Sequence, residues 1–227
     1  MTSPVIVALD LEHTLAIDLA KKLDPEDCRL KVGNQLFTSA GPKVIEELSM
    51  LGFDIFLDLK FHDIPNTVAQ SVKAASNLGV WMLNIHASGG SIMMNAAKEA
   101  TSELLKPPLI IGVTMLTSLS EKDVNEIGIQ DISNQALSLA SLAKKNSLDG
   151  VVCSVNEVRR IKELLGKEFI TVTPGIRSSD SLKDDQSRVS TARNAIENGS
   201  DYLVIGRPIT QSHNPMNSLD SIIKEIS

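Results

Sequence analysis

Only two cysteines occur in 227 residues, Cys28 and Cys153, far apart and with no partner spacing suited to zinc. Both fall in apolar strand-like runs, which predicts buried thiols and suits a reducing compartment. Basic runs are missing too: no stretch of Lys and Arg exceeds two residues, and the formal net charge is −6. That argues against a basic nucleic-acid-binding face. It leaves room for a phosphate ligand, which a few local cations and a helix N-terminus can hold. No apolar run is long enough to span a bilayer. Met1 to Leu23 carries acids at Asp10 and Glu12 before any basic residue, unlike a signal peptide. The expectation is a soluble, cytoplasmic protein without nucleic-acid or membrane partners. No linker, composition shift or low-complexity tract divides the chain. With 42% hydrophobic residues, positions 1–227 are expected to form one domain around one large core.

What is present is a regular alternation. Short apolar runs that read as strands lie at Val5–Leu9, Arg29–Val32, Phe53–Leu57, Val80–Ile85, Leu109–Met115, Gly150–Cys153, Phe169–Thr173 and Asp201–Ile205. Helical patterns follow, among them one to Leu23, one near 42–51 stopped by Gly52, one from Gly90 to about Leu105, one near 134–145 and one at 155–165. Near-continuous apolar strands, each followed by an amphipathic helix, mean a parallel sheet covered by helices. Eight such units at this length predict a single (β/α)8 TIM barrel. A doubly wound open sheet is the rival, but no glycine fingerprint follows the first strand.

The densest stretch is Asp58-Leu59-Lys60-Phe61-His62-Asp63-Ile64-Pro65-Asn66-Thr67. Positions two apart on a strand share a face, so Asp58 and Lys60 should point together and Leu59 away. Pro65 suits the first turn of the helix that follows. Alternating acids and lysines are often only a solvated strand face. Here the preceding Ile55-Phe56-Leu57 is too apolar for a surface strand, and polar loops after buried strands are where sites are built.

In this fold active sites sit at the C-terminal strand ends. Asp10, Lys31, Asp58, Lys60, His86, Thr117, Arg177, Gly206 and Arg207 all fall there. Several have plainer readings. Asp10 taken alone is best read as a helix cap, and His86 as a packed histidine bonded to backbone. Lys31 could snorkel from the rim. Thr114 and Thr117 could be strand and turn formers, and Pro174-Gly175 only a turn. Gly206-Arg207 is the strongest of these signals, since a glycine opening a helix after the eighth strand matches a common phosphate site of the fold. An arginine at a helix start opposes the macrodipole, which makes its presence more informative.

The ten-residue stretch resembles the signature of orotidine 5′-phosphate decarboxylases of the bacterial type. The resemblance extends over the whole chain, through Gly112-Val113-Thr114-Met115-Leu116-Thr117-Ser118, Thr173-Pro174-Gly175-Ile176-Arg177 and Ile205-Gly206-Arg207-Pro208-Ile209. It implies a homodimer with shared active sites, no metal and no organic cofactor. The implied reaction takes orotidine 5′-phosphate to uridine 5′-phosphate and carbon dioxide in pyrimidine nucleotide synthesis. Lys60 would be the proton donor, flanked by Asp58 and Asp63. Asp63 and Thr67 would reach the neighbouring subunit's site. Asp10 and Lys31 would bind ribose hydroxyls, and Thr117, with Ser118, would lie near the pyrimidine. Arg177, Gln186, Gly206 and Arg207 would hold the phosphate. The shorter pattern Asp-x-Lys-x-x-Asp also occurs in related sugar-phosphate decarboxylases. A magnesium-dependent enzyme of a keto-sugar phosphate is therefore the rival, and a barrel that binds a phosphorylated ligand without catalysis is a weaker one.

Overall fold

The computed structural model describes residues 3–177 and 190–226. Eight parallel strands pair in chain order, and the last returns to the first to close a barrel. They are β1 (Val5–Ala8), β2 (Arg29–Gly33), β3 (Ile55–Phe61), β4 (Met82–His86), β5 (Leu109–Val113), β6 (Gly150–Val152), β7 (Ile170–Thr173) and β8 (Tyr202–Ile205). The helices between and after them are α1 (His13–Ala20), α2 (Asn34–Ala40), α3 (Lys43–Met50), α4 (Pro65–Ser76), α5 (Gly90–Glu99), α6 (Glu121–Glu126), α7 (Ile132–Lys145), α8 (Val155–Leu165), α9 (Ala192–Glu197), α10 (Arg207–Thr210) and α11 (Pro215–Ile226). Among the described residues no helix is long and apolar enough to cross a membrane.

Strand alternation sorts the side chains into two cores. Val5, Val7, Leu30, Val32, Ile55, Leu57, Leu83 and Ile85 point outward, into the layer shared with the helices. Ile6, Ala8, Phe56, Met82, Ile111, Val113, Val152, Val172 and Val204 point inward and fill the barrel. The register aligns Ala8 with Lys31, Lys31 with Phe56 and Phe56 with Met82, so the inner parity runs continuously from strand to strand. Four buried polar residues share that parity: Arg29, Lys31, Asp58 and Asn84.

Arg29 closes the bottom. Its guanidinium lies 4.3 Å from the Trp81 ring centroid and 5.4 Å from that of Tyr202. It also donates to the Ser3 carbonyl and, at 3.3 Å, to the Asp54 carboxylate. A charge there is held by π faces and oxygen acceptors in place of water. The other three polar residues lie toward the opposite, C-terminal mouth.

Helix limits follow local chemistry. Pro65 opens α4 at its first turn, as expected. Gly52, at φ 93°, follows the end of α3 and supplies the left-handed residue that stops it. Ser154 and Glu157 form a capping box on α8. The expected layout needs correction in five places. Helices α2 and α6 lie in segments expected to be irregular. The helix expected to reach Leu105 ends at Glu99. Strand β3 continues past Leu57 to Phe61, so the first four residues of the motif, Asp58 to Phe61, lie on the strand and not after it. Lys31 likewise sits inside β2 and not at its end.

Candidate active site

At the C-terminal mouth lies a cavity of about 520 Å³, lined by residues from β1, β2, β3, β5, β6 and β8 and from the segments that follow β1, β5, β7 and β8. Asp10, Lys31, Asp58, Lys60, Thr117, Arg177, Gly206 and Arg207 all line it, so eight of the expected site residues come together. Asp63 and Thr67 do not. Both are exposed, and among the described residues the lining of one chain includes neither. Asp63 Oδ1 accepts a hydrogen bond from the Ile64 amide. The expected position Gln186, like Ser187 and Arg188 beside it, lies outside the described residues.

Four of these side chains form a series of alternating charge. Lys31 Nζ donates to Asp10 Oδ1 at 3.0 Å and stands 3.3 Å from Asp58 Oδ2. Lys60 Nζ donates to Asp58 Oδ1 at 2.7 Å. The Lys31 side chain is only 8% exposed and that of Asp58 11%, so the middle of the series is dry. The ends are wetter: Lys60 is 30% exposed and Asp10 58%. Asp10 therefore does not cap α1, where Glu12 holds the cap position. Nor does Lys31 snorkel; its ammonium is the bridge between two carboxylates. Gly33 makes room for it, since a Cβ there would meet Lys31 Nζ at 3.0 Å and Asp10 Oδ1 at 3.2 Å.

Electrostatics follow from this packing. Burial pushes the Asp58 carboxyl up, but the charges of Lys31 and Lys60 outweigh burial. With hydrogen bonds from Lys60 and Asn84 they hold it below the ordinary carboxylate range. Burial likewise pulls Lys31 down, and Asp58 and then Asp10 overcome that and hold it above the usual lysine value. The two middle groups, Lys31 and Asp58, are thus kept in the charge state the series requires. His86 packs against the His62 ring, with centroids 5.2 Å apart. Burial first, then His62 and Lys60, lower its pKa.

Lys60 is not placed by strand alternation alone. Its φ is 52°, and the β3–β4 register shifts between Leu57 and Phe61. This bulge turns the lysine along the mouth toward Asp58. Leu59 packs on the outer core, as the alternation predicts. Sequence reasoning missed Asn84, whose Nδ2 donates to Asp58 Oδ1 at 2.6 Å. The available signal was an asparagine in an otherwise apolar strand, at the parity of His86.

Arg177, Gly206 and Arg207 gather at the ends of β7 and β8. In an eight-strand barrel β7 is diametrically opposite β3, so these groups face the Asp58–Lys60 pair across the mouth. Gly175, at φ 81°, lines the same side, so Pro174-Gly175 is a turn that also shapes the cavity. Thr114 donates to the Val152 carbonyl and is structural, whereas Thr117 lines the cavity. Among the described residues no group of three or more His, Cys, Asp or Glu is assembled to hold a metal ion.

A family model described as orotidine 5′-phosphate decarboxylase / HUMPS family matches residues 3–222. The orotidine 5′-phosphate decarboxylase of Saccharophagus degradans is 52% identical over 225 residues, covering 98% of this chain and 94% of that protein. That of Chromobacterium violaceum is 53% identical, covering 100% and 92%. A crystal structure of the Lactobacillus acidophilus orotidine 5′-phosphate decarboxylase superposes with a TM-score of 0.86 at 42% identity, covering 99% of both chains. With the barrel, the charge series and these matches in agreement along nearly the whole sequence, the chain belongs to the orotidine 5′-phosphate decarboxylase / HUMPS family.

Proposed function

We propose that the chain converts orotidine 5′-phosphate to uridine 5′-phosphate and carbon dioxide without metal or organic cofactor, with Lys60 as proton donor. The observation that carries this reading is the series Asp10, Lys31, Asp58, Lys60 along one side of the cavity, with contacts of 3.0, 3.3 and 2.7 Å.

The reaction demands such an arrangement. The bond from the ring carbon to the carboxylate breaks, carbon dioxide leaves, and the electron pair stays in an sp² orbital. No carbonyl or imine can accept that pair, so the protein must stabilise it electrostatically. An ammonium fixed beside the carbon does so, then gives it a proton; the amine regains one from solvent. At about 4 Å and an effective dielectric near 20, one such charge pair contributes roughly 4 kcal/mol. Enzymes reach about 23 kcal/mol, so other terms must add. Arg177, Gly206 and Arg207 supply a grip for the phosphate, whose remote binding energy can order the site. Asp10 and Lys31 reach the ribose hydroxyls and Thr117 the pyrimidine.

A second copy of the chain completes the site by bringing Asp63 and Thr67 to it. The support is an apolar surface beside them: Ile64 is 67% exposed and Ile92, on the α5 that packs against α4, is 77% exposed.

The family also suggests the magnesium-dependent reaction of a keto-sugar phosphate. Here Lys31 stands where an acidic metal ligand would be needed, between Asp10 and Asp58. The deciding experiment adds orotidine 5′-phosphate to protein held in excess chelator and follows pyrimidine absorbance. A steady loss is expected; turnover that appears only after magnesium is returned would overturn the reading.

A further inference from the structure

We propose that Asn84 is the positioning residue of this site: its amide ties the Asp58 carboxylate to the bulged backbone of Lys60 and so sets the separation of carboxylate and ammonium. The catalytic consequence rests on the decarboxylase reading above; the positioning itself does not.

The observations are geometric. Asn84 is 1% exposed, on the inner face of β4 between Met82 and His86. Its Nδ2 donates to Asp58 Oδ1 at 2.6 Å, and its Oδ1 accepts from the Lys60 backbone N–H at 2.8 Å. Chemistry fixes this orientation, because a backbone N–H can only donate and an ionised carboxylate only accept. The register explains the second bond. Leu57 pairs with Leu83 and Phe61 with Ile85, so four steps of β3 face two of β4. The Lys60 amide, at φ 52°, is thereby displaced from the ladder, and a side-chain oxygen takes the place of a strand carbonyl. Asp58 Oδ1 receives both Asn84 Nδ2 and Lys60 Nζ, so one amide braces both ends of the 2.7 Å ion pair. The charged and titratable groups facing this junction are Lys31 on β2, Asp10 after β1, Lys60 on β3, and His62 and His86. Asn84 is on β4, on the other side of the barrel from the ends of β7 and β8 that carry the phosphate-side residues Arg177, Gly206 and Arg207.

Two variants test this. Asn84→Asp keeps the size and the acceptor for the Lys60 amide but loses the donor to Asp58. Asn84→Leu has similar bulk and neither group. Turnover of orotidine 5′-phosphate is followed from about pH 5 to about pH 9, with thermal melts alongside. Misplacement of a reacting group by about 1 Å costs on the order of 100-fold, so kcat should fall about 10- to 100-fold in both variants at the alkaline end. KM should stay within about threefold, because the phosphate grip is untouched. For Asn84→Asp the deficit should narrow toward acid. The new carboxyl is protonated there, helped by its like-charged neighbour, and donates to Asp58 again. For Asn84→Leu the deficit should not depend on pH. A merely structural role would lower both melting temperatures without that pH-dependent recovery. A kcat within about twofold of the unaltered protein in both variants, at every pH, would overturn the proposal. If the unaltered protein does not consume orotidine 5′-phosphate, the decarboxylase reading falls. The crystal structure of Asn84→Leu then decides the positioning: a Lys60–Asp58 contact and a Lys60 φ both retained would overturn it.

Discussion

Lys60 occupies the left-handed region at φ 52°, which costs a residue with a Cβ about 1–2 kcal/mol. Two effects can therefore be separated at one position. Lys60→Ala and Lys60→Gly should both abolish turnover, because each lacks the ammonium. Glycine accepts the φ freely, so Lys60→Gly should be the more stable of the two by about 1 kcal/mol, read from urea midpoints. Equal midpoints would mean that the surroundings, and not the backbone conformation, set the cost. Asp58 has its own signature. Its pKa is depressed in the folded state, so its contribution is present above the unfolded value near 3.9 and is lost as pH falls through the folded one. Lys31 is raised, so its contribution is present below about 10.4 and lost as pH rises through its folded value. Asp58→Asn should thus be destabilised by about 3 kcal/mol across neutral pH, since one partner of a buried pair is gone. The difference from the unaltered protein should be flat from about pH 5 to about pH 9 and shrink below about pH 4. A difference that widened toward acid would reverse the assignment.

One device at the N-terminal edge of the strands recurs. Asp54, Asp149 and Asp201 each immediately precede a strand, and each reaches back to the strand before it. Asp54 takes Arg29 of β2. Asp149 accepts from the Ile110 amide of β5 and from Lys98 of α5. Asp201 accepts from the Thr171 amide and hydroxyl of β7 and from Lys162 of α8. Each carboxylate staples adjacent strands, and two of the three also bind a helix. Asp201→Asn should lower stability by about 1–2 kcal/mol, a charge-assisted bond discounted for partial exposure, while leaving kcat unchanged. A matching loss of kcat would mean that this edge communicates with the mouth. None of these staples was legible beforehand, because each joins residues 25 to 51 positions apart. The strands were legible, being apolar runs at regular spacing. Helix α6 was hidden by its six-residue length and polar face, although Ser120 and Asp123 spell its capping box. Helix α2 has no side-chain cap to announce it. The motif's strand was cut short at Leu57 because its polar end looked like loop. A bulge carrying charged residues has no periodic signature.

At the scale of the molecule, alternation and closure explain why so much of the site could be read. Once eight parallel strands form one barrel, polar residues near the C-terminal strand ends must converge, whatever the intervening helices do. Asp10, Lys31, Asp58, Lys60, Thr117, Arg177, Gly206 and Arg207 met that expectation. Asn84 escaped it because it is buried in a strand interior, where a single amide looks like packing. Asp63 and Thr67 lie outside the cavity of their own chain, on the flank that exposes Ile64. If a second copy covers that flank, each site is made of two chains, and a mixture of defective chains should recover activity. Lys60→Ala and Asp63→Ala proteins would each be inactive, or nearly so, alone. A two-fold dimer carrying one chain of each kind has one site with both lesions and one with neither. Random exchange at equal concentrations makes about half of the dimers mixed, so about a quarter of all sites are intact and about a quarter of normal activity should return. Activity should grow with the time allowed for chains to exchange and be absent when they are mixed only at the moment of assay. If exchange is confirmed by tagged chains and no activity returns, Asp63 acts within its own chain.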